Sequence, residues 1–546
     1  MAAPFETHQV LNQSPSFEDV DLFALDRPLQ DAIAANGAAG ETAPLSAFGR
    51  RYGSAEMLDE ARRANENPPK LASFDRKGFR RDTVEFHPAY HRFMGESIAA
   101  GVHASTWRVD GSRAAAPAEV SRAARFYMAN QVEAGHCCPI TMTRASVAAL
   151  AAEPALRDRV IGKIVSRSYD PSLAPLSDKA GITLGMGMTE KQGGTDVRAN
   201  TTRATLASDG YLVTGHKWFL SAPMCDAFLV LAQAPVGLTC FLMPRFRPDG
   251  SVNALRLQRL KDKLGNRSNA SAEVEFTEAF AWRVGEEGRG VRTIIEMVQL
   301  TRLDCALGSA GLMRMALAQA LHHARHRSVF QRRLADQPMM RSVLADLALE
   351  MEAVVALVMR LARAFDHPDD AVEGARARLL TPAVKYFVCK SAPAFIYEAM
   401  ECLGGNGYVE EAPLARLYRE VPVNAIWEGS GNVMCLDVLR ALSREGEAWR
   451  HLIETLVRET AEAPGSAQTA AFVVHALAGR EAEATARRAV ERLAQLAAAA
   501  ALAGSAPAVA EIFARARLGE PRGVTYGTAM LEAADVDALI ERALPA

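Results

Sequence analysis

The chain has 546 residues, a formal net charge of −2 and 49% hydrophobic residues. This composition excludes a disordered or fibrous protein, and the length predicts several domains rather than one hydrophobic core. The charge of the whole chain gives no sign of a nucleic acid or a membrane as partner.

The start of the chain and the cysteines indicate where the protein works. The segment MAAPFETHQV lacks the basic start and apolar core of a secretory signal, and no run of 18 apolar residues follows it. The eight cysteines are scattered, without a CxxC pair or matching histidines, which predicts reduced, buried thiols and no metal site. We therefore expect a cytoplasmic protein without a membrane partner.

Hydrophobic periodicity divides the chain into five parts. Residues 1–50 alternate short apolar groups with Pro, Gly, Asn and Asp, which predicts an extended N-terminal arm. Apolar residues at spacings of three and four predict an N-terminal helical domain over 51–180. Short β-branched and aromatic runs predict a β domain over 181–288. Helical spacing returns over 289–445, as a bundle of four long helices, and over 446–546, as an alanine-rich C-terminal helical domain.

The stretch GMGMTEKQGGTDVRAN, which begins at Gly185, starts like a dinucleotide-binding fingerprint. Glu190 stands where the third glycine is needed, and the residues after it are too polar and glycine-rich for the helix that would hold a pyrophosphate. A Rossmann site is therefore disfavoured. The remaining interpretation is a strand that ends in a loop, in which free amides and the hydroxyls of Thr189 and Thr195 can donate hydrogen bonds to a cofactor.

A second stretch, AIWEGSGNVM, places Glu428 between Trp427 and Gly429. A carboxylate beside an indole and a glycine fits a general base, because poor solvation raises its pKa and the missing side chain lets a substrate approach. A surface glutamate at a helix start fits the same residues. The local sequence leaves these two interpretations open.

Five motifs in chain order resemble the acyl-CoA dehydrogenase family. MTEKQGGTDV is similar to that family's flavin-contacting loop, HKWFLSA to its flavin-packing strand, and HRSVF with Gln337 to its adenine-side motif. LGGNGY resembles its dinucleotide-facing turn, and IWEGS resembles the segment with its catalytic glutamate. The resemblance implies an α+β multidomain protein with the acyl-CoA dehydrogenase-like fold. In that fold a helical domain, a β-barrel-like domain and a four-helix bundle enclose FAD, and here a C-terminal helical domain follows.

The resemblance also implies which residues bind FAD. On the sheet side they are Met188, Thr189, Glu190, Gly193, Gly194, Thr195, Phe219, Ser221, Ala222 and Pro223. On the bundle side they are Ile426, Trp427, Gly429, Ser430 and Asn432. The adenine half of FAD reaches a neighbouring subunit in this family, which implies a homotetramer with Arg327, Phe330, Gln337, Gly404 and Gly405 across an interface. The sequence departs from the family's pattern twice, because Phe219 stands where tryptophan is usual and Gln331 where glycine is usual.

The chemistry that the resemblance implies is α,β-dehydrogenation of an acyl-CoA thioester, with Glu428 as the base that removes the α proton. Some members of the family carry this base on another helix, just before an arginine, but that position here is Thr301, before Arg302. Two roles are open for Arg302, an electrostatic partner near the base or a buried ion pair between helices.

One branch of the family, the alkylation-response flavoproteins, resembles the chain over nearly its whole length, through GMGMTEKQGGTDV, KDKLGNRSNA, TRLDCALGS and NAIWEGSGN. This branch implies binding of double-stranded DNA in the response to alkylation damage, with weak dehydrogenase activity on a substrate like isovaleryl-CoA. The expected DNA contacts are Arg440, Arg515, Arg517 and Arg522, although acidic residues outnumber arginines from 441 to 546.

Two other functions stay open. The first is a metabolic acyl-CoA dehydrogenase for short or branched chains, with a tail that aids assembly and no role on DNA. The second is a flavin oxidase for a small substrate, which would favour aspartate rather than Glu428 as the base.

Overall fold

The computed structural model describes residues 7–519 and 522–545. The N-terminal part is helical with one β-hairpin. Its elements are α1 (Arg27–Ala35), α2 (Thr42–Tyr52), α3 (Ala55–Glu66), β1 (Lys70–Phe74), β2 (Arg80–Glu85), α4 (Pro88–Ala99), α5 (Ala118–Val132), α6 (Cys137–Leu150) and α7 (Pro154–Ile164).

The N-terminal arm differs from the prediction, because residues 27–52 are helical rather than extended. The Asp26 side chain caps α1 by accepting from the backbone nitrogen of Leu29 at 3.1 Å, and Leu29 and Ile33 are buried. A capping aspartate, a proline in the first turn and apolar residues four apart are signals of a short helix. Asp26 also pairs with Arg314 Nε at 3.0 Å, which fixes α1 to the helical bundle.

The middle of the chain forms a seven-stranded sheet that closes on itself. Its strands are β3 (Leu184–Gly187), β4 (Arg203–Ala207), β5 (Gly210–Ser221), β6 (Ala227–Ala234), β7 (Gly237–Pro244), β8 (Leu255–Leu260) and β9 (Ser271–Val284). β5 pairs with β4 and β9, β9 with β7, β7 with β6, and β6 with β4, which completes a ring. The prediction of a β-barrel-like domain is confirmed. Contacts of β3 with α6 and of β7 with the first bundle helix join the barrel to the helices.

The bundle differs in detail from four long helices. Its elements are α8 (Gly290–His326), β10 (Ser328–Val329), β11 (Arg332–Arg333), α9 (Pro338–Asp366), α10 (Ala371–Glu401), α11 (Gly405–Tyr408), α12 (Pro413–Glu420) and α13 (Gly431–Arg444). Three of these helices are long, and the fourth, α13, has 14 residues. The glycine turn at 404–405 and the prolines at 413 and 422 break the helical pattern before α13, because proline lacks the amide that a helix interior needs.

The C-terminal part packs on the bundle through an alanine-rich helix. Its helices are α14 (Gly446–Glu459), α15 (Ser466–Ala478), α16 (Ala482–Ser505), α17 (Pro507–Phe513) and α18 (Ala533–Ala543). α16 contacts α9, α10 and α13, and the alanines from Ala497 to Ala501 are buried there, since small side chains permit close helix approach.

All eight cysteines are buried and free, as predicted. Among residues 7–519 and 522–545, no helix is both long and apolar enough to cross a membrane.

Candidate active site

Glu428 lies in a turn just before α13, and its backbone is held in an unusual conformation. The φ angle of Glu428 is 58° and that of Gly429 is 105°, in the left-handed region that favours glycine. Lys385 Nζ donates to the carbonyl oxygen of Gly429 at 2.7 Å, and Arg302 Nε donates to that of Glu428 at 3.0 Å. These two buried cations, from α10 and α8, stabilise the strained turn.

The carboxylate of Glu428 faces α8. Its Oε2 accepts a hydrogen bond from Thr301 Oγ1 at 2.8 Å. Burial raises the pKa of Glu428, and this effect outweighs the Thr301 hydrogen bond and the charges of Arg302 and Lys385, which lower it. Arg302 also pairs with Asp437 at 2.7 Å, so it joins α8 to α13 beside the Glu428 turn.

A cavity of about 70 Å³ opens beside Glu428, where the barrel meets the bundle. We call it the junction cavity. Thr301, Trp427 and Glu428 line it from the bundle, and Met186 and Ser221 line it from the barrel. Much of the remaining wall is apolar and includes Phe126, Cys137, Cys138, Met142, Cys305 and Leu312. The cavity therefore offers a carboxylate of raised pKa within a largely apolar enclosure.

Glu190 is not placed as a cofactor ligand, which corrects the prediction. Its side chain is fully buried, its Oε1 accepts from Lys217 Nζ at 2.7 Å, and its Oε2 accepts from the backbone nitrogen of Thr201 at 2.7 Å. Burial alone would raise the pKa of Glu190, but the Lys217 hydrogen bond and charge bring it down to about 2. Both carboxylate oxygens are used inside the protein, so Glu190 fixes the loop to the barrel interior.

The other loop residues predicted to contact FAD lie at or near the surface. Gly193, Gly194 and Thr195 are exposed, and a Cβ added at Gly193 would meet no atom within 4 Å. Phe219 is 44% exposed. The open glycine backbone and the hydroxyl of Thr195 suit phosphate oxygens, and the exposed ring of Phe219 suits the flat isoalloxazine ring. These residues therefore fit FAD. Met188, Thr189 and Ser221 are half-buried, and Ala222 and Pro223 are buried at the end of β5.

The bundle residues predicted to bind FAD lie around the start of α13. Ile426, Ser430 and Asn432 are exposed, and Trp427 Nε1 donates to Asn424 Oδ1 at 3.0 Å. Asn432 Oδ1 also accepts from Arg487 Nη1 at 2.9 Å, so α16 contacts this end of the site directly.

The residues predicted for the adenine side form a separate group. Arg327 Nη1 donates to the carbonyl oxygen of Asn12 at 2.7 Å, and Gln337 Nε2 donates to that of Val329 at 3.2 Å. Phe330 is 93% exposed, and Gly404 and Gly405 are exposed as well. The junction cavity is not lined by these residues.

Arg517 is not placed as a DNA contact, which corrects the prediction. Its side chain is 3% exposed, and it pairs with Asp346 and, at 3.4 Å, with Glu350. The family resemblance implied a surface arginine, but α17 continues into a π-helical segment, Ala514–Gly519, in which this side chain packs against α9.

The other arginines predicted to bind DNA are partly exposed. Arg440 is 61% exposed and pairs with Asp437 at 2.7 Å. Arg515 is 40% exposed and pairs with Asp535 at 2.6 Å, with further carboxylates nearby. The Arg522 guanidinium lies 3.9 Å from the centre of the Tyr526 ring.

A second, larger cavity of about 810 Å³ lies among α10, α15, α16 and the segment after α17. Besides the buried Arg517, its basic lining residues, which we call the tail patch, are Lys390, Arg487, Arg488, Arg492 and Arg522. Two carboxylates, Glu350 and Glu491, line the same cavity. Arg487, Arg488 and Arg492 all come from α16.

Sequence reasoning missed the residues that hold the Glu428 turn. Lys385 and Asp437 lie inside helices. For a charged residue there, the sequence alone does not show whether its side chain faces solvent or packs against another helix. Thr301 was noticed only as a position that could not supply a base, whereas its hydroxyl holds the Glu428 carboxylate.

Comparison with known proteins agrees with this geometry. The chain matches the AidB N-terminal domain of the adaptive response protein over residues 12–171, and the middle and C-terminal domains of acyl-CoA dehydrogenases over 185–279 and 288–443. It is 50% identical to AidB of Escherichia coli over 455 residues, which cover 83% of this chain and 84% of that one.

Two matches to Caenorhabditis elegans proteins extend the comparison. The chain is 31% identical to acyl-CoA dehydrogenase family member 11, over 77% of this chain and 69% of that one. The crystal structure of ACDH-11 in complex with C11-CoA superposes with a TM-score of 0.81 at 26% identity, covering 99% of this chain and 93% of that one.

The chain belongs to the acyl-CoA dehydrogenase family. Within that family it is AidB-like, since the match to AidB of Escherichia coli covers most of both chains. Members of the family are FAD-dependent flavoproteins, so the protein is an FAD-dependent oxidoreductase of the acyl-CoA dehydrogenase type. The predictions of fold, cofactor and enzyme class are confirmed.

Proposed function

We propose that the protein dehydrogenates an acyl-CoA thioester, with Glu428 as the base that removes the α proton. The observation that carries this proposal is the Glu428 carboxylate, which has a raised pKa and lines the junction cavity together with Ser221 from the barrel. The relatives named acyl-CoA dehydrogenases and the C11-CoA complex of ACDH-11 support the same substrate class. FAD held there would supply the acceptor for the hydride of the β carbon, and the protein would supply the base and the alignment.

The residues around Glu428 have distinct parts in this proposal. Thr301 holds Oε2, which leaves Oε1 free to take the proton. Arg302 and Lys385 hold the backbone of the turn rather than the carboxylate, so the base keeps its raised pKa while its position is fixed. The apolar wall keeps water away from the reacting atoms, which strengthens the electrostatic effects there. On the sheet side, Thr189, Thr195, Phe219 and Ser221 would hold the flavin.

We propose further that the protein works as a homotetramer in which each FAD is shared between subunits. The exposure of Phe330, Gly404 and Gly405 supports this, because a fully exposed phenylalanine side chain suits a partner surface better than water. Arg327 and Gln337, from the same predicted set, are half-buried.

The tetramer proposal predicts coupling between assembly and cofactor content. Changing the 93% exposed Phe330 to Asp should lower both the mass measured by light scattering and the FAD retained per chain. Phe79, 69% exposed in the β1–β2 hairpin, supplies the matched control, and Phe79→Asp should leave both unchanged. A variant at Phe330 that stays tetrameric with full FAD content would contradict the proposal.

We propose that the biological role is binding of double-stranded DNA in the response to alkylation damage. The match to the adaptive response domain and the 50% identity to AidB support this role. The tail patch supports it physically, since duplex binding draws most of its nonspecific affinity from cations that contact phosphates. The same proposal includes Arg440 and Arg522 as DNA contacts. Arg515 is a weaker candidate, because it already pairs with carboxylates.

A salt titration of duplex binding tests the DNA role. The logarithm of the affinity should fall linearly with the logarithm of salt concentration, and Arg487→Ala with Arg488→Ala should reduce the slope by about 2, roughly one unit for each lost phosphate contact. The control is Arg62→Ala with Arg63→Ala, which removes the same charge from the exposed face of α3 and should leave the slope unchanged.

The competing function is a metabolic acyl-CoA dehydrogenase for short or branched chains, without a role on DNA. The observation in its favour is the pairing of tail arginines with carboxylates, as at Arg515 and Arg517. Duplex binding that is absent, or that does not depend on salt, would decide for this alternative.

A further inference from the structure

The junction cavity contains a second carboxyl group, that of Glu420. It is the last residue of α12, and a short 3₁₀ segment, Val421–Ala425, separates it from the turn with Glu428. Glu420 is 4% exposed, lines the cavity, and its Oε2 has no hydrogen-bond partner among the described residues. A buried polar atom without a partner is rare in native proteins and points to a group that the polypeptide does not supply.

The charged groups around Glu420 are engaged elsewhere. Arg416 Nη1 donates to the carbonyl oxygen of Val132 at 2.8 Å, and Lys263 Nζ donates to that of Asn269 at 2.7 Å. Glu133 is held by His136 at 2.8 Å. None of these three is hydrogen-bonded to Glu420 Oε2. Burial and the charge of Glu133 raise the pKa of Glu420 to about 7, against the weaker lowering by the backbone of Asn266 and by the charges of Arg416 and Lys263. Both protonation states are therefore accessible near neutral pH.

The depth of Glu420 indicates which part of a ligand it meets. Glu428 is half-buried and Glu420 is almost fully buried in the same cavity. A thioester with its α carbon at Glu428 has its large CoA portion toward solvent, so the acyl chain is the part that reaches the more deeply buried carboxyl. The cavity wall includes the apolar side chains of Phe126, Met142 and Leu312. Its polar side chains, Asn130 and Asn424 among them, make no hydrogen bond to Glu420 Oε2.

We propose that Glu420 hydrogen-bonds a hydroxyl group on the acyl chain, so that the junction cavity selects a hydroxylated acyl-CoA over its hydrocarbon counterpart. This inference rests on the proposed acyl-CoA substrate. A hydroxyl group fits because it both donates and accepts, and it therefore pairs with either protonation state of the carboxyl. A hydrocarbon chain of the same shape would leave the buried oxygen unpaired, and sites built around a hydroxyl discriminate strongly against the analogue that lacks it.

The test compares ligands that differ only by a hydroxyl in place of a methyl group. The FAD-loaded Glu428→Gln protein, in which turnover is suppressed, is titrated with 4-hydroxybutanoyl-, 5-hydroxypentanoyl- and 6-hydroxyhexanoyl-CoA by calorimetry and flavin absorbance. Each is paired with pentanoyl-, hexanoyl- or heptanoyl-CoA, its methyl counterpart. For the chain length that reaches Glu420, the hydroxyl ligand should bind at least about tenfold more tightly, as expected for a hydrogen bond to a buried carboxyl.

Two substitutions assign the preference to this residue. With Glu420→Leu the preference should reverse in favour of the methyl ligand, and with the isosteric Glu420→Gln it should persist. If Glu420→Leu does not fold, the ligand pairs on the protein with Glu420 intact still decide the question. Pairs that bind equally, or methyl ligands that bind more tightly at every length, overturn this inference alone. If no acyl-CoA binds, the proposed substrate class fails and this inference falls with it.

Discussion

Glu428→Gln should slow the anaerobic bleaching of the flavin by an acyl-CoA by about 10²- to 10⁴-fold, the usual contribution of a positioned general base. Glutamine keeps the size and polarity of the side chain, and it can still accept the hydrogen bond from Thr301 Oγ1. It has no basic oxygen to take the α proton. The rate should therefore collapse while FAD content and the unfolding midpoint stay close to those of the unchanged protein.

The pH dependence gives a second measure of the same group. Burial raises the folded pKa of Glu428, and only the ionised carboxylate acts as a base, so the bleaching rate should rise with pH through that raised pKa. Thr301→Val removes a hydrogen bond that favours the ionised form, so it should move the rise to higher pH without abolishing bleaching. Bleaching at an undiminished rate in Glu428→Gln would rule out Glu428 as the base.

The sequence predicted the identity of the candidate site better than its surroundings. The neighbours of Glu428 in the chain, Trp427 and Gly429, fitted a general base and a surface glutamate equally well, and only the family resemblance of IWEGS favoured the base. The groups that position it come from α8, α10 and α13, and a contact such as that of Lys385 with Gly429 arises only when the bundle folds. Tertiary contacts of this kind leave no periodic signal in one sequence.

The errors in the prediction also come from tertiary contacts that the sequence does not show. Glu190 follows a glycine-rich start and was expected to face the cofactor, but the barrel interior holds Lys217, and a buried ammonium requires a carboxylate partner. The barrel itself was predictable, because short β-branched and aromatic runs are local features. The arm was missed in part because a nine-residue helix has few apolar positions, and its stability comes from docking against α9 and α5.

Arg517→Ala should lower the free energy of unfolding by about 3–5 kcal/mol, the usual effect of removing one partner from a buried ion pair. Asp346 and Glu350 lie one turn apart on α9, and without the guanidinium both are left buried with less compensation. The loss should appear as a lower urea midpoint. Arg515→Ala is the matched control two residues away, because its ion pairs are partly exposed and such pairs contribute at most about 1 kcal/mol.

The same variant separates a structural arginine from a DNA contact. Arg517 joins the segment after α17 to α9, and Asp346 Oδ2 also accepts from the backbone nitrogen of Gly527 at 2.8 Å, so the pair organises the C-terminal chain on both sides of residues 520–521. At temperatures where Arg517→Ala is still folded, its salt dependence of duplex binding should match that of the unchanged protein. If the variant had normal stability and a salt slope of duplex binding reduced by about 1, Arg517 would instead be a DNA contact. Each lost phosphate contact lowers the slope by about that amount.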